Sequence, residues 1–273
     1  MPALRVVIPP SLDMALRDAA SARGTSTDSL VSAALSEYFD SQRHRMYQIS
    51  TSTALVEGVY QGGISSKELL NGGDFGLGTF EGLAGEMVVV DRTIYQARPD
   101  GSIQRRDDDF RVPFAVVTHF REDSSFQTGR FAALHELESA CDRHRESDNL
   151  FYALRLDGRF EAVHTRVVRP AEPGTRLIDA VKTQPEFHFS NVEGTLVCIW
   201  SPRYASSFNI PGYHFHFLSH DHSKGGHVLD CRAQELHAGI QMLCEYDVRL
   251  PSKGRFMTAD LAKDPAADLA KTE

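Results

Sequence analysis

The stretch Gly212-Tyr-His-Phe-His-Phe217 constrains this chain most, because histidines and aromatic residues alternate along it. In an extended strand successive side chains point to opposite faces, so His214 and His216 share one face and the phenylalanines share the other. The turn-forming run from Ser219 to Gly226 predicts a hairpin. That hairpin would bring His227, eleven residues after His216, back beside the pair.

Three imidazoles that meet at a hairpin are typical of a metal site. With no obvious fourth side-chain ligand, His214, His216 and His227 indicate a zinc site with one open coordination position, as in catalytic zinc centres. The alternative is that they are ordinary strand histidines in an antiparallel pair. Their spacing leaves both interpretations open, and an all-imidazole site also suits copper, nickel or iron.

Three further histidines lie near this hairpin, at positions 220, 222 and 237. We interpret them as loop or solvent-exposed residues rather than additional ligands. Because His220 and His222 repeat the spacing of His214 and His216, a ligand pair drawn from them stays an alternative.

The composition bounds the class of protein. A length of 273 residues allows one large or two medium cores, and the net charge of −8 argues against extensive nucleic-acid binding. Four cysteines without CxxC spacing predict reduced thiols, with Cys198, Cys231 and Cys244 in the core. We find no apolar leader and no apolar run long enough to span a membrane, so we expect a soluble, cytoplasmic protein.

We interpret residues 1–45 as a separate module together with its linker. Leu4, Val6 and Ile8 alternate as in a strand, a helix is expected to begin at Ser11 and end at Gly24, and Ser26 or Thr27 should cap a second helix. A unit this small cannot bury its own core, so we expect it to pair with a second copy, which predicts a homodimer.

This module resembles the ribbon-helix-helix family through Leu4-Arg-Val-Val-Ile-Pro-Pro-Ser and Gly24-Thr-Ser-Thr-Asp-Ser-Leu. The resemblance implies that paired strands enter the DNA major groove and that Arg5 and Val7 face the bases. Val7 offers no hydrogen bond to a base edge, and five arginines are balanced by five acidic residues in residues 1–45. DNA binding and plain dimerisation both remain open.

For residues 46–273 the sequence predicts an α+β body, in which strands outnumber helices and the sheet is mostly antiparallel. Hairpin turns are predicted at Asp91-Arg92 and Asp157-Gly158, and a helix is predicted over 131–145. Glu86 follows a glycine-rich stretch and precedes an apolar run, and Arg166 lies in a strand. Either side chain, taken alone, could face solvent or line a site.

The body is similar to the alpha-acetolactate decarboxylase family, and the similar motifs occur in order along the whole body. They are Gly73-Asp-Phe-Gly-Leu-Gly-Thr-Phe, Gly85-Glu-Met, Pro113-Phe-Ala-Val-Val-Thr, Asn149-Leu-Phe-Tyr-Ala, Thr165-Arg, Asn191-Val-Glu-Gly-Thr-Leu-Val, Pro211-Gly-Tyr-His-Phe-His-Phe-Leu and Gly225-Gly-His-Val-Leu-Asp. This resemblance implies conversion of 2-acetolactate to acetoin and carbon dioxide with Zn²⁺ on His214, His216 and His227. It also implies roles for Glu86, Arg166 and a glutamate of the C-terminal tail, here Glu273.

These residues suggest a mechanism in which the metal acts as a Lewis acid, Arg166 orients the carboxylate or stabilises an enolate oxygen, and Glu86 or Glu273 donates a proton. The residues do not say which glutamate is the acid. Two other functions stay open: a ligand- or metal-responsive DNA-binding regulator, and a structural dimer with a degenerate enzyme body.

Overall fold

The computed structural model describes residues 5–38, 44–269 and 271–272. It divides into two compact units, residues 1–43 and residues 44–273. Within the described residues, no helix is both long enough and apolar enough to cross a membrane.

The elements follow one another in chain order as below. The helices are α1 (Pro10–Arg23), α2 (Thr27–Tyr38), α3 (Ser52–Val56), α4 (Ser66–Gly72), α5 (Leu134–Asp142), α6 (Leu177–Ala180) and α7 (Ala266–Leu269). The strands are β1 (Arg45–Ile49), β2 (Ile64–Ser65), β3 (Phe75–Thr79), β4 (Glu86–Val90), β5 (Thr93–Ala97), β6 (Ile103–Arg106), β7 (Arg111–Val112), β8 (Phe114–Thr118), β9 (Ser124–Gln127), β10 (Phe151–Arg166), β11 (Glu186–Ser201), β12 (Gly212–Ser219), β13 (Gly225–Leu243) and β14 (Glu245–Arg249).

The first unit contains the two predicted helices. Gly24 ends α1 in the left-handed conformation, at φ 62°, and the Ser26 hydroxyl accepts a hydrogen bond from the Ser29 amide at the start of α2. Both features agree with the sequence. The prediction that Ser11 caps α1 is wrong, because the helix already begins at Pro10, and the fixed φ of proline suits a first helical turn.

In its described part, residues 5–8, the strand predicted over residues 4–8 is not formed. Residue 4 lies outside the described residues, and residues 5–9 have no strand assignment in the single chain. A strand requires a neighbour for its backbone N–H and C=O groups, which a ribbon shared by two chains would supply. Arg5 and Val7 are both exposed, the Val7 side chain completely so.

The body consists mainly of two antiparallel sheets. Among the described residues, a seven-stranded sheet has the order β14-β1-β8-β3-β4-β5-β6, and a five-stranded sheet has the order β10-β11-β12-β13-β9. A small pair, β2 with β7, accompanies them. The pair β1–β14 is parallel. The predicted α+β class with a mostly antiparallel sheet therefore describes this body.

Strand β10 corrects one prediction. Asp157-Gly158 was expected to be a hairpin turn, but β10 runs through it, pairing with β11 on one side and β13 on the other. Gly158 lies opposite Gly194 and Leu236, and a register shift follows it on the β13 side. The Asp157 carboxylate accepts hydrogen bonds from Thr195 and Arg155. These bonds supply the carboxylate with polar partners inside the sheet, although aspartate is more common in turns.

Of the other local predictions, some are confirmed and others are wrong. Asp91 and Arg92 form the predicted turn between β4 and β5, both with positive φ. The helix predicted over 131–145 is shorter, Leu134–Asp142. Cys198 and Cys231 are buried thiols, whereas Cys244 is exposed because it lies between β13 and β14 rather than inside a strand.

The glycine-rich stretch lets β3 lie very close to β8. A Cβ atom at Gly76 would stand 2.0 Å from the Val116 carbonyl oxygen, and one at Gly78 would stand 2.4 Å from the Phe114 carbonyl oxygen. Glycine is the residue that permits such an approach of two backbones. On its other side β3 pairs with β4, whose Met87 carbonyl and Glu86 side chain lie against His216 of the other sheet.

Candidate functional site

The three histidines of the hairpin lie together in the structure. His216 on β12 is paired in register with His227 on β13, which is also paired with Arg166 on β10. His214 is two residues before His216 and shares its face, while Phe215 and Phe217 pack in the core on the other side. One row of cross-strand neighbours therefore carries two histidines and an arginine.

The tautomer of His216 follows from its partner. Its Nδ1 lies 2.7 Å from the Met87 carbonyl oxygen, which can only accept, so Nδ1 carries the proton and donates. The lone pair is then on Nε2, which is buried and has no hydrogen-bond partner among the described residues. A buried nitrogen acceptor without a partner is costly unless a cation or a proton occupies the position it faces.

All three imidazoles are held in the neutral form. Burial lowers the pKa of His216 to about 3, and the charge of Arg166 acts in the same direction, while the Met87 carbonyl opposes it. Burial also lowers the pKa of His214 and of His227 well below the usual value. Neutral imidazole is the form that binds metals.

The geometry of the three side chains fits a metal ion. One ring nitrogen from each lies within 4.8 Å of the others, and His214 Nε2 is 3.2 Å from His227 Nδ1. Two nitrogens that each lie about 2.0–2.1 Å from a tetrahedral zinc ion would stand about 3.3 Å apart. The trio is thus a buried cluster that could hold a metal.

Glu86 supplies a buried carboxyl group next to this cluster. Its Oε2 lies 3.6 Å from His216 Nε2, and its Oε1 accepts a hydrogen bond of 3.1 Å from the Val168 amide. Burial raises the pKa of Glu86 to about 7, although the Arg166 charge and the Val168 hydrogen bond both oppose the rise. The carboxyl group therefore exchanges its proton near pH 7, where an ordinary glutamate is fully ionised.

Arg166 places a fixed positive charge in the same cavity. Its guanidinium is buried, with Nη1 donating to Gln184 Oε1 at 2.9 Å and Nη2 donating to the Thr272 carbonyl. Its Nε has no hydrogen-bond partner among the described residues. A buried guanidinium with neutral imidazoles around it favours an anionic ligand.

The C-terminal tail reaches this cavity. Leu269, at the end of α7, is buried in the same apolar cluster as Leu55 and Leu177, and both of those residues line the cavity. The Thr272 carbonyl bonds Arg166, and outside the cavity Arg176 forms ion pairs with Asp268 of α7 and, at 3.5 Å, with Glu57. An apolar anchor and an ion pair hold the tail in place.

The structure brings together most of the residues singled out from the sequence. The cavity is lined by the three histidines, Glu86 and Arg166, together with Thr79, Leu83, Phe114, Ile210 and Thr272 among others. Glu273 lies outside the described residues. His220, His222 and His237 are exposed, as expected. Arg5 and Val7 belong to the other unit.

The sequence did not indicate several groups that hold the site in place. The Met87 and Thr272 carbonyls and the Gln184 amide are common groups that become functional only through contacts distant in sequence. Thr79, which donates to the Gly85 carbonyl at 2.8 Å, lies within one of the motifs noted above but has no distinguishing local pattern.

The chain matches the family described as "Alpha-acetolactate decarboxylase" over residues 46–263. It is 42% identical to the alpha-acetolactate decarboxylase of Methanosarcina mazei over 84% of this chain and 80% of that protein. It is 38% identical to the enzyme of that name from Bacillus subtilis, over 84% of this chain and 91% of that protein.

Solved structures agree with this match. The crystal structure of alpha-acetolactate decarboxylase from Bacillus subtilis strain 168 superposes with a TM-score of 0.81 and 37% identity, covering 84% of this chain and 99% of that one. A Staphylococcus aureus protein described as similar to alpha-acetolactate decarboxylase superposes with a TM-score of 0.80 at 27% identity.

Proposed function

The chain belongs to the alpha-acetolactate decarboxylase family, and we propose that it converts 2-acetolactate to acetoin and carbon dioxide with Zn²⁺ on His214, His216 and His227. The observation that carries this proposal is the meeting of three buried, neutral imidazoles with Glu86 and Arg166 in one cavity. It supports a site for a metal and an anionic substrate at once.

The reaction leaves an electron pair on the carbon that loses carbon dioxide, and this pair moves to the neighbouring ketone oxygen. A bound metal supplies the Lewis acidity that draws electrons toward this oxygen. The Arg166 guanidinium neutralises the substrate carboxylate on binding, and it stays close to the negative charge that develops on the ketone oxygen afterwards. Because Gln184 and Thr272 fix its Nη atoms, Arg166 is already oriented before the substrate arrives.

Glu86 is suited to deliver the proton that completes acetoin. Since Oε1 is engaged with the Val168 amide, the proton belongs on Oε2, the oxygen nearest His216. Burial favours the protonated form that an acid requires, and a pKa near neutrality in the metal-free protein allows the group to be reloaded from water. Glu273 remains a second candidate for the acid.

The test is a colorimetric acetoin assay on chelator-treated protein reloaded with Zn²⁺, together with metal analysis. We expect activity to be lost on metal removal and restored by Zn²⁺. His214→Ala should lose both metal and activity, whereas His237→Ala, at an exposed position, should keep both. A His214→Ala protein with normal zinc content and normal acetoin production would refute the proposal. Restoration by copper, nickel or iron but not by zinc would refute the choice of metal.

A second proposal concerns the N-terminal unit, which we infer pairs two copies of the chain. Ala20 is the buried residue among the described side chains of residues 5–35, while large apolar side chains stay exposed. These are Val6, Val7, Leu12, Met14, Val31 and Leu35. A second copy of the same surface would cover them, and this favours a homodimer over a monomer.

Light scattering tests this proposal directly. Leu12→Glu with Leu35→Glu should halve the mass of the wild-type particle, and an unchanged mass would contradict it. A mobility-shift assay with upstream DNA tests whether the unit also binds DNA: a shift at low salt that Arg5→Ala abolishes would support the regulator.

We also propose a cytoplasmic location, which the four free thiols favour.

A further inference from the structure

A second cluster of metal-binding side chains lies outside the cavity, on the outer part of the β10–β11 pair. It consists of His164 on β10 and of Glu186 and His188 on β11, with one ligand atom from each within 4.8 Å of the others. His164 Nε2 lies 2.8 Å from Glu186 Oε2. The two imidazole rings stack with centroids 4.0 Å apart and an angle of 18° between their planes.

The sheet accounts for this arrangement. His164 and His188 are directly opposite each other in the antiparallel register, and residues so placed have Cβ atoms about 4.5–5.5 Å apart on one face. Glu186, two residues before His188, shares that face. The two strands therefore keep two imidazoles and a carboxylate within reach of one ion, and the stacked rings need only rotate about their side-chain torsions for their in-plane lone pairs to converge.

The cluster is accessible from solvent. Pairing of β11 with β12 begins at Gly194, so Glu186 and His188 lie before the part of β11 that β12 covers. The His164 side chain is 26% exposed and that of Glu186 is 50% exposed. Water can thus complete the coordination of an ion held here.

The sheet register places charges of both signs beside the cluster, because Arg166 on β10 lies opposite Glu186. Asp230 on β13 is paired with His164 from the other side, which adds a second carboxylate to the neighbourhood, although its Oδ1 accepts a hydrogen bond from the Leu134 amide. Arg166, two residues from His164, is turned into the cavity, where Gln184 and the Thr272 carbonyl accept its hydrogen bonds.

We propose that His164, His188 and Glu186 form a second metal site, separate from the buried histidine trio. Two imidazoles and one carboxylate suit a divalent transition-metal ion such as Zn²⁺, Ni²⁺ or Cu²⁺ rather than Mg²⁺ or Ca²⁺, which prefer oxygen ligands. The exposed position and the two-imidazole donor set make this site weaker than the buried one. It takes no part in the decarboxylation.

Calorimetric titration of chelator-treated full-length protein with Zn²⁺ tests the proposal. Wild type should bind two equivalents, one tightly and one more weakly. Losing only the hydrogen-bond partner of a metal ligand costs about 10–100-fold in metal affinity. We therefore expect His188→Ala to weaken the second site by at least about tenfold, with unchanged acetoin formation. His216→Ala should lose the tight site and keep the weak one.

Two controls make the result specific. His237→Ala removes an exposed strand histidine that lies 3.9 Å from the Glu122 carboxylate, and it should leave two equivalents bound. Melting curves in metal-free buffer should show that His188→Ala is folded. The proposal is overturned if wild type binds one equivalent, if His188→Ala still binds two with unchanged affinity, or if His237→Ala weakens binding equally.

Discussion

Leu269 is the apolar anchor of the C-terminal tail, and truncating it should loosen the tail without unfolding the sheets. Its side chain is 2% exposed. Leu269→Ala deletes three carbon atoms, which at about 0.8 kcal/mol for each buried carbon amounts to about 2.4 kcal/mol. Because a tail can leave a folded body by local opening, we expect this loss to fall on tail docking. The docking equilibrium constant should then decrease about 50-fold, at about 1.4 kcal/mol per factor of ten.

Hydrogen exchange measures this opening directly. The Leu269 amide donates to the Pro265 carbonyl and the Thr272 amide donates to the Leu269 carbonyl, each at 2.9 Å, so both report on the docked tail. In the variant we expect their exchange to be about 50-fold faster, with exchange in β10 unchanged. Acetoin formation should fall with the docked fraction, because Arg166 loses the Thr272 carbonyl that orients it.

Leu250→Ala is the matched control, since Leu250 precedes the tail and is 55% exposed. It should alter neither exchange nor activity. Unchanged exchange in Leu269→Ala would show that the leucine does not hold the tail. If instead global unfolding became easier by the full amount, the tail and the body would be one cooperative unit, and the reasoning would be refuted.

Three further predictions concern the body. Glu86→Gln should retain bound metal but lower the rate of acetoin formation about 10²–10⁴-fold, as loss of a proton donor does; a rate within a few-fold of wild type would exclude Glu86 as the acid. Gly76→Ala should lower the free energy of unfolding by about 3 kcal/mol or more, measured in urea, because its Cβ would meet the Val116 carbonyl. Asp74→Asn tests pH dependence: burial alone would raise the pKa of Asp74, but the His119 imidazole 3.7 Å away and a hydrogen bond from the Phe120 amide lower it, and the pKa of His119 is raised in turn. The lowered pKa of Asp74 contributes to the free energy of unfolding above about pH 3.9, and the raised pKa of His119 contributes below about pH 6.5. The variant should therefore be less stable than wild type by about 1 kcal/mol or less between these pH values. In melting curves this difference in stability should shrink on either side.

The sequence predicted the histidine hairpin because strand alternation and turn chemistry are local properties. His214, His216 and His227 needed only the period of a strand and one reversal, both of which the structure contains. The turn at Asp91-Arg92 and the end of α1 at Gly24 followed from equally local rules. Bringing Glu86 and Arg166 to the same cavity depended on family resemblance, since no local pattern relates them.

The failures have physical reasons as well. Asp157-Gly158 has the composition of a turn, but pairing on both sides of β10 outweighs that local preference. Ser11 is a good capping residue, but Pro10 can already begin the helix. The roles of Gln184 and of the Thr272 carbonyl depend on which distant segments meet Arg166, and this cannot be read from either residue alone.

The parallel pair of β1 with β14 has a consequence for how the chain is made. Arg45 pairs with Glu245, 200 residues later, so β1 gains this neighbour only after those residues have been synthesised. At about 5–20 residues per second, that edge waits roughly 10–40 s on the ribosome. During this interval β1 presents unpaired backbone groups to other nascent chains. The first strand of the body thus depends on the last strand described, and the interval between their syntheses is one in which this edge is open to pairing with other chains.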